Sequence, residues 1–511
     1  MDFQRDNSSK TRGLIFYSDF LKRGADLLRS EITVMLLVPP SPPNIDISRD
    51  WAGGFGTAYA RRRNRFGQSA DPFFYPFLAY ASSVLQDQNF EWSVLDCQKL
   101  RLDLPEVMDS VKKRNPNLIV SLIGLPSLKG DLEILNAIKK TLPNTTLACV
   151  GTSCQVLQRE VFSQSKVDLL LTGKYPYVSN LESFLKAFCA GDDLSNVPSL
   201  SYVKHGKVIS NCEKYHTDLG SLSPNYDGLD LSGYECFRDM DGNSYQYISV
   251  LGSVGCPSCC FYCPYIVGFG SQWSARQPEE LMEELEYLSS RNVKGVMFRD
   301  QSFPINEKRA LRICDLIVKR KIDMAWLCEA RVDQVNRTVL AAMKKAGCKA
   351  IQLGVETGDQ NLMGIAKPGS SLELIRRAFR LTKEFGLRSM AHIIFGWPDE
   401  TKQTMQRTGR FVEEIAPERA NWSYLTPYPG TRLREIAQVQ DLILTNDWTK
   451  YTSETVVMRS KWLNANQIRI MGKSIQCHYE KAKTFRLLSS AGKRPRYLFG
   501  ELQDACRSLI A

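Results

Sequence analysis

The sequence predicts an α/β protein: a doubly wound parallel sheet, then a partial (β/α)6 barrel of TIM type, then a helical C-terminal region. Three observations carry this. Short apolar runs alternate with helical spacings in two separate series. A turn-rich stretch divides the series. The second series has six strand–helix units, and its first strand leads into a loop dense in cysteine.

Residues 1–30 are polar and mixed, an expected N-terminal arm. The first domain is expected over 31–196. Thr33-Val34-Met35-Leu36-Leu37-Val38 is an apolar run stopped by Pro39-Pro40-Ser41-Pro42-Pro43, a buried strand and its loop. The stretch onward to about Pro72 is rich in Gly, Arg and Asp and reads as a long loop, functional or disordered. Helical spacing follows over 75–86. Strands are then predicted over 93–96, 118–123, 146–150 and 167–171, with helices over 104–113, 130–141, 154–162 and 179–189. This alternation implies a parallel sheet with helices on both faces. Ligands on such sheets bind beyond the carboxyl ends of the strands, so the loops after Ile123, Val150 and Leu171 are the candidate lining.

Residues 197–240 read as a connector: a hairpin turning at His205-Gly206, then a linker rich in Ser, Pro, Asp and Gly. The barrel is expected over 241–435. Its strands are predicted over 247–251, 295–298, 324–327, 350–355, 389–395 and 421–425, and its helices over 279–289, 308–319, 337–346, 372–385 and 401–415. A site at the carboxyl ends of these strands follows. Residues 436–511 read as a basic helical region that closes the bottom of the barrel or shapes the substrate pocket.

At 511 residues the chain is too long for one ordinary domain. Its 43% hydrophobic and 24% charged content is that of a soluble globular protein. No apolar run reaches the length of a membrane span, and the N-terminus has no apolar signal region. Fifteen cysteines in that setting imply a reducing, cytoplasmic compartment with some thiols as metal ligands. The net charge is +11, most of it from Arg459 onward. A solvated helical face accounts for that tail; no nucleic-acid motif accompanies it, and nucleic acid is not an expected partner.

Cys256, Cys260 and Cys263 stand in the spacing C-x3-C-x2-C. Three such thiolates can cap three irons of a four-iron cluster, leaving the fourth open to chemistry. The same loop also reads as two abutting C-x2-C pairs, Cys256/Cys259 and Cys260/Cys263, a zinc pattern. Closed zinc sites usually separate their pairs by a longer loop. Cys259 and Cys348 have no assigned role.

The cysteine loop resembles that of the radical S-adenosylmethionine (SAM) superfamily, whose signature is C-x3-C-x-aromatic-C; Tyr262 fills the aromatic slot. The resemblance runs from about Tyr247 to Leu433 and includes the strand-end segments around Arg299, Arg331, Gln352–Gly358, Gly396–Thr401 and Thr426–Thr431. It implies a 4Fe-4S cluster on the three cysteines, SAM on the open iron, and an adenosyl radical formed by electron transfer into the sulfonium. It further implies SAM contacts from Tyr262, Arg331, Gln352 and Glu356. A guanidinium matches a carboxylate fork, which suits Arg331 to the SAM carboxylate; a helix cap or surface ion pair is the plainer reading. His392, within a predicted strand, is either a core histidine bonded to backbone or a base facing the substrate.

The first half resembles the cobalamin-binding domain that precedes the radical module in cobalamin-dependent radical SAM enzymes, a flavodoxin-like fold. The likeness rests on the Pro-rich loop, on Tyr75-Pro76-Phe77-Leu78-Ala79-Tyr80, and on Leu125-Pro126-Ser127, Gly151-Thr152-Ser153 and Thr172-Gly173-Lys174. It implies cobalamin contacts from Ser127, Gly151, Thr152 and Gly173. The family often has Gly-Gly at 151–152 and an acidic residue at 174; this chain has Gly-Thr and Lys. There is no Asp-x-His-x-x-Gly motif, so no imidazole of this domain is expected below cobalt. A flavodoxin-like domain with another nucleotide or none is the alternative.

The resemblance implies a methyltransferase-like enzyme acting on an unactivated carbon of a small-molecule substrate, fed by an external flavodoxin- or ferredoxin-type electron donor. A cyclase-like outcome without methyl transfer is the alternative. A metal-binding protein without turnover is the reading from another class.

Overall fold

The computed structural model describes residues 31–42, 45–59, 72–212, 218–489 and Tyr497. The expected arm over 1–30 and the last part of the basic tail lie outside the described residues. The first sheet has seven strands in the spatial order Glu91–Asp96, Thr33–Val38, Leu118–Leu122, Thr146–Val150, Leu169–Leu171, Leu200–Lys204 and Lys207–Ser210. The first five are parallel. The last two are an antiparallel hairpin added to the edge. It turns at His205 and Gly206, both with positive φ (52° and 72°). The expected connector hairpin therefore belongs to the sheet. Spatial order reverses between Thr33–Val38 and Leu118–Leu122, and such a switch point opens a crevice at the strand ends.

The long loop holds structure of its own. Asp46–Ser48 pairs antiparallel with Thr57–Tyr59, standing outside both large sheets. The helix predicted over 154–162 divides into Thr152–Val156 and Gln158–Gln164.

The second sheet is ordered Cys236–Arg238, Ser244–Val250, Gly295–Phe298, Ala325–Ala330, Cys348–Glu356, Arg388–Phe395 and Arg419–Tyr424. Six strands are parallel, and Cys236–Arg238 runs antiparallel at the edge. Its end strands do not pair with each other, so the barrel is half-open. Amphipathic helices cover the outside. In Leu372–Glu384 the buried side chains Ile375, Ala378, Phe379 and Thr382 recur at helical spacing, and Ser371 caps the helix by accepting from Leu374 N.

Inside the half-barrel, Phe237, Tyr247, Met297, Ala325, Leu327 and Ala350 form an apolar layer. Phe73 and Trp51, from the first half of the chain, pack against that layer. One continuous apolar cluster includes Val34 and Val120 of the first sheet and Ile248 and Ile351 of the second.

The helix Ala465–Ser489 lies along the helix Lys402–Ile415 and the strand Arg419–Tyr424. Gly409 faces Ile475, Gly472 faces Tyr424 and Phe395, and Tyr479 Oη donates to Pro417 O at 2.7 Å. This part of the tail covers the flank of the last strand. Among the described residues, no helix is long and apolar enough to cross a membrane.

Candidate functional site

The cysteine loop is tethered before it begins. Asp300, at the end of the neighbouring strand, accepts from Gly252 N (2.8 Å) and Ser253 Oγ (2.5 Å). Arg309 Nη2 donates to Gly252 O at 2.7 Å. Ser253–Val254 then pairs antiparallel with Ser274–Ala275, which turns residues 255–273 into a closed loop. Gly255 has φ 85°, and a Cβ there would collide with the Gln272 carbonyl. Only glycine fits that crossing.

Cys256, Cys260 and Cys263 are half-buried, whereas Cys259 is exposed. Cys263 N donates to Cys260 O at 3.0 Å, so the last two thiols share one turn. Phe261 and Tyr262 pack on Trp397, with ring centroids 6.2 and 5.1 Å away. Burial raises the Cys260 thiol, and the cations of Lys367 and Arg331 oppose this. Besides burial, Cys260 and Cys256 raise the Cys263 thiol, and Cys256 raises the Cys260 thiol, so the three thiols are neighbours. Three soft thiolates are a donor set that suits an iron–sulfur cluster or zinc.

Facing the loop is a charged pair. Glu356 and Lys367 meet at 2.6 Å, both largely buried. A Cβ at Gly354 would strike both head groups, so the glycine makes room for the pair. Glu356 itself has φ 61°, where the register with the next strand shifts. Burial, then the charge of Glu356, keeps the Tyr262 hydroxyl protonated. Arg331 lies near Cys260 and Cys256, but Asp333 holds its guanidinium at 3.0 and 2.8 Å. Gln352 Oε1 is 2.7 Å from His392 Nε2. His392 thus bonds a side chain, not backbone, and burial lowers its pKa and keeps it neutral.

Above the apolar layer, two residues further along the strands, stand Arg299, Glu329 and Gln352. Arg299 and Glu329 pair at 3.1 Å. The half-barrel mouth is therefore polar.

Across from it lies the carboxyl edge of the first sheet. Ser127 Oγ donates to Asp131 at 2.8 Å, and Gly124 N to the same oxygen at 3.0 Å. Asp131 also pairs with the fully buried Arg49 at 2.6 Å. Gly151 has φ 126° and abuts the Ile123 carbonyl. Thr152 Oγ1 donates to Gly53 O at 2.7 Å. Gly173 O accepts from Gln155 at 3.0 Å. The strand ends of the two sheets face each other: Tyr175 N donates to Gly268 O (3.0 Å), Lys174 Nζ to Val267 O (2.7 Å), and Arg299 Nη2 to Asp50 O (3.4 Å).

Residues 250–412 match the family described as the Radical SAM superfamily. The chain carries a radical SAM domain. Similarity to other proteins extends beyond that domain. A Pyrococcus horikoshii protein described as an uncharacterized methyltransferase is 28% identical over 413 residues, covering 80% of this chain and 88% of the relative. The anaerobic magnesium-protoporphyrin IX monomethyl ester cyclase of Cereibacter sphaeroides is 24% identical, over 84% of this chain and 70% of that one. Among solved structures, the cobalamin-dependent SAM radical enzyme OxsB with aqua-cobalamin bound superposes with a TM-score of 0.70, at 15% identity, over 94% of this chain and 72% of OxsB. The radical SAM methyltransferase TsrM of Kitasatospora setae, with cobalamin and a [4Fe-4S] cluster bound, gives 0.62 at 16% identity, over 82% and 76%. The radical SAM domain and these relatives make the chain an enzyme and set aside the reading of a metal-binding protein without turnover.

Lys367, Asp300 and Arg299 were not among the site residues expected from sequence. Lys367 sits in Ala366-Lys367-Pro368, which carries no signal beyond a helix end. Arg299-Asp300 ends a predicted strand, and that position was the available clue.

Proposed function

We propose that this protein is a cobalamin-dependent radical SAM enzyme that transfers a methyl group to a carbon of a small molecule. The observation that carries this is a loop of three neighbouring thiols facing the Glu356–Lys367 pair, with a polar barrel mouth opposite the carboxyl edge of a flavodoxin-like sheet. Cys256, Cys260 and Cys263 would hold the 4Fe-4S cluster. When bound, the cluster supplies the electron that cleaves the SAM sulfonium. The chain's part is to bind and orient. Glu356 and Lys367 carry the two charges that match the ammonium and carboxylate of an amino acid. Tyr262 and Trp397 wall the loop against water. Arg299, Glu329, Gln352 and His392 line the mouth where the substrate would lie, with His392 neutral and able to accept a hydrogen bond. The edge formed by Ser127, Gly151, Thr152 and Gly173 would take the corrin. A cytoplasmic location and a flavodoxin- or ferredoxin-type donor complete the reading.

The cyclase relative favours a second outcome on the same cofactors: ring formation without methyl transfer. Product mass separates them, since methyl transfer adds one methylene unit. The decisive test is anaerobic. Purified, reconstituted chain is assayed for iron, sulfide and corrin, then reduced with SAM and searched for 5′-deoxyadenosine. Four irons per chain, bound corrin and that nucleoside are expected. An ion content of one zinc and no nucleoside would sink the reading.

A further inference from the structure

We infer that residues 49–56 are an internal occupant of the cofactor edge, and that a corrinoid seats on the first sheet only by displacing Phe55. This rests on the cofactor reading above.

The carboxyl edge at the switch point is where a sheet of this order takes a ligand. Here the chain itself lies on that edge. Phe55 is fully buried against Leu125, Val156 and Leu157 of the first half and stacks on Tyr428 of the second at 5.3 Å. Leu125 N donates to Phe55 O at 2.6 Å. Thr152 Oγ1 holds Gly53 O, and a Cβ at Gly54 would collide with Thr152 Oγ1 and Tyr177 Oη. Arg49 fills the crevice beside Pro40, donating to its carbonyl at 3.1 Å while paired with Asp131. Two of the residues expected to cradle the cofactor are thus tied to this segment, Thr152 directly and Ser127 through Asp131 and Arg49. The departures from the family pattern take part in closing the edge: Thr152 bonds the segment, and Lys174 bonds the helix after the cysteine loop.

The segment's backbone conformation rests on its glycines. Ala52, Gly53, Gly54 and Gly56 all have left-handed φ, between 51° and 92°. Among the described residues, its flanking strands, Asp46–Ser48 and Thr57–Tyr59, pair only with each other. It can therefore leave without breaking either large sheet. Leaving has consequences across the interface. Gly53 packs directly on Pro264 and Tyr265, next to Cys263, and Trp51 lies over the Arg299 guanidinium at 4.1 Å. Seating a corrin would then be felt at the cysteine loop and at the barrel mouth.

The test is a titration of the full, anaerobically purified chain with hydroxocobalamin, followed by absorbance. When a competent state is rare, apparent affinity falls by its population, so removing the competitor tightens binding. Phe55→Ala should lower the dissociation constant by about tenfold or more. Gly54→Ala, which forces the segment off the edge while keeping the Phe55 side chain, should act in the same direction and stands in if Phe55→Ala does not fold. In the wild-type chain, corrin should speed hydrogen exchange in a peptide covering 49–57. Corrin that binds the wild type with exchange in that peptide unchanged, and that binds the variants no more tightly, overturns the inference but leaves the cofactor reading standing. Absence of corrin binding in wild type and both variants overturns the cofactor reading and the inference with it.

Discussion

Glu356 occupies a left-handed conformation at φ 61° while burying a carboxylate. A non-glycine residue held there costs on the order of 1–3 kcal/mol and persists only where its surroundings hold it. Lys367 is what holds it, at 2.6 Å. Removing one member of a buried pair leaves an uncompensated charge, which costs about 3–5 kcal/mol. Lys367→Met is therefore expected to weaken SAM binding by at least about tenfold, since the variant gives up about 1.4 kcal/mol or more at the ligand. Iron content should be unchanged, because Lys367 is not a cysteine-loop tether. Equilibrium dialysis with SAM beside an iron assay checks both; equal loss of iron and SAM would contradict the assignment. Asp300 differs in kind. It tethers backbone, and Asp300→Ala leaves Gly252 N and Ser253 Oγ buried without an acceptor, costing about 2–5 kcal/mol. Iron per chain should fall with it after reconstitution, and denaturant midpoints should drop.

Among the elements, the helix Ala465–Ser489 shows how a tail becomes part of the sheet. It approaches the Lys402–Ile415 helix and the last strand closely enough that Gly409 and Gly472 leave no room for a larger side chain. Gly472→Leu would drive side-chain atoms into Tyr424 and Phe395. Overpacking of this kind costs about 1–3 kcal/mol. The expected result is a lower thermal midpoint with faster hydrogen exchange in 465–489, while the cysteine loop keeps its iron. A second element lesson concerns the segment 49–56. Its glycines read as loop from composition, but the segment packs as tightly as core because both halves of the chain press on it.

For the whole molecule, buried carboxyl groups set the pH dependence of stability. Burial raises Glu400 to about 8 despite donation from Gly396 N and Trp397 N, and raises Asp96 to about 6. In both, the folded state keeps a proton that the unfolded state releases. Their contribution to stability is therefore fully present below their unfolded pKa values and is lost as pH rises through the folded ones. For Glu400 the window runs from its ordinary value of 4.5 up to about 8. Glu400→Gln should flatten the fall in unfolding free energy between about pH 5 and pH 8 by a few kcal/mol. Urea titrations of wild type and variant across that range measure it; parallel slopes would refute the role given to Glu400.

The alternation of apolar runs with helical spacings determined both sheets, because a strand buried on two faces and a helix buried on one must be written into local sequence. The three-cysteine loop was equally legible, since its thiols lie within eight residues and need no folding to be neighbours. Strand boundaries moved by up to three residues. The hairpin at Leu200–Lys204 and Lys207–Ser210 was legible as a hairpin, but not as part of the first sheet. What only the tertiary structure decided are meetings across long separations: Lys367 with Glu356 behind a glycine, Asp300 under Gly252, and Phe55 lodged on an edge expected to hold a cofactor. Spacing can predict which faces must be buried. It cannot say which distant side chain arrives to bury them, because that choice is made by packing, where volume and charge must fit together in three dimensions.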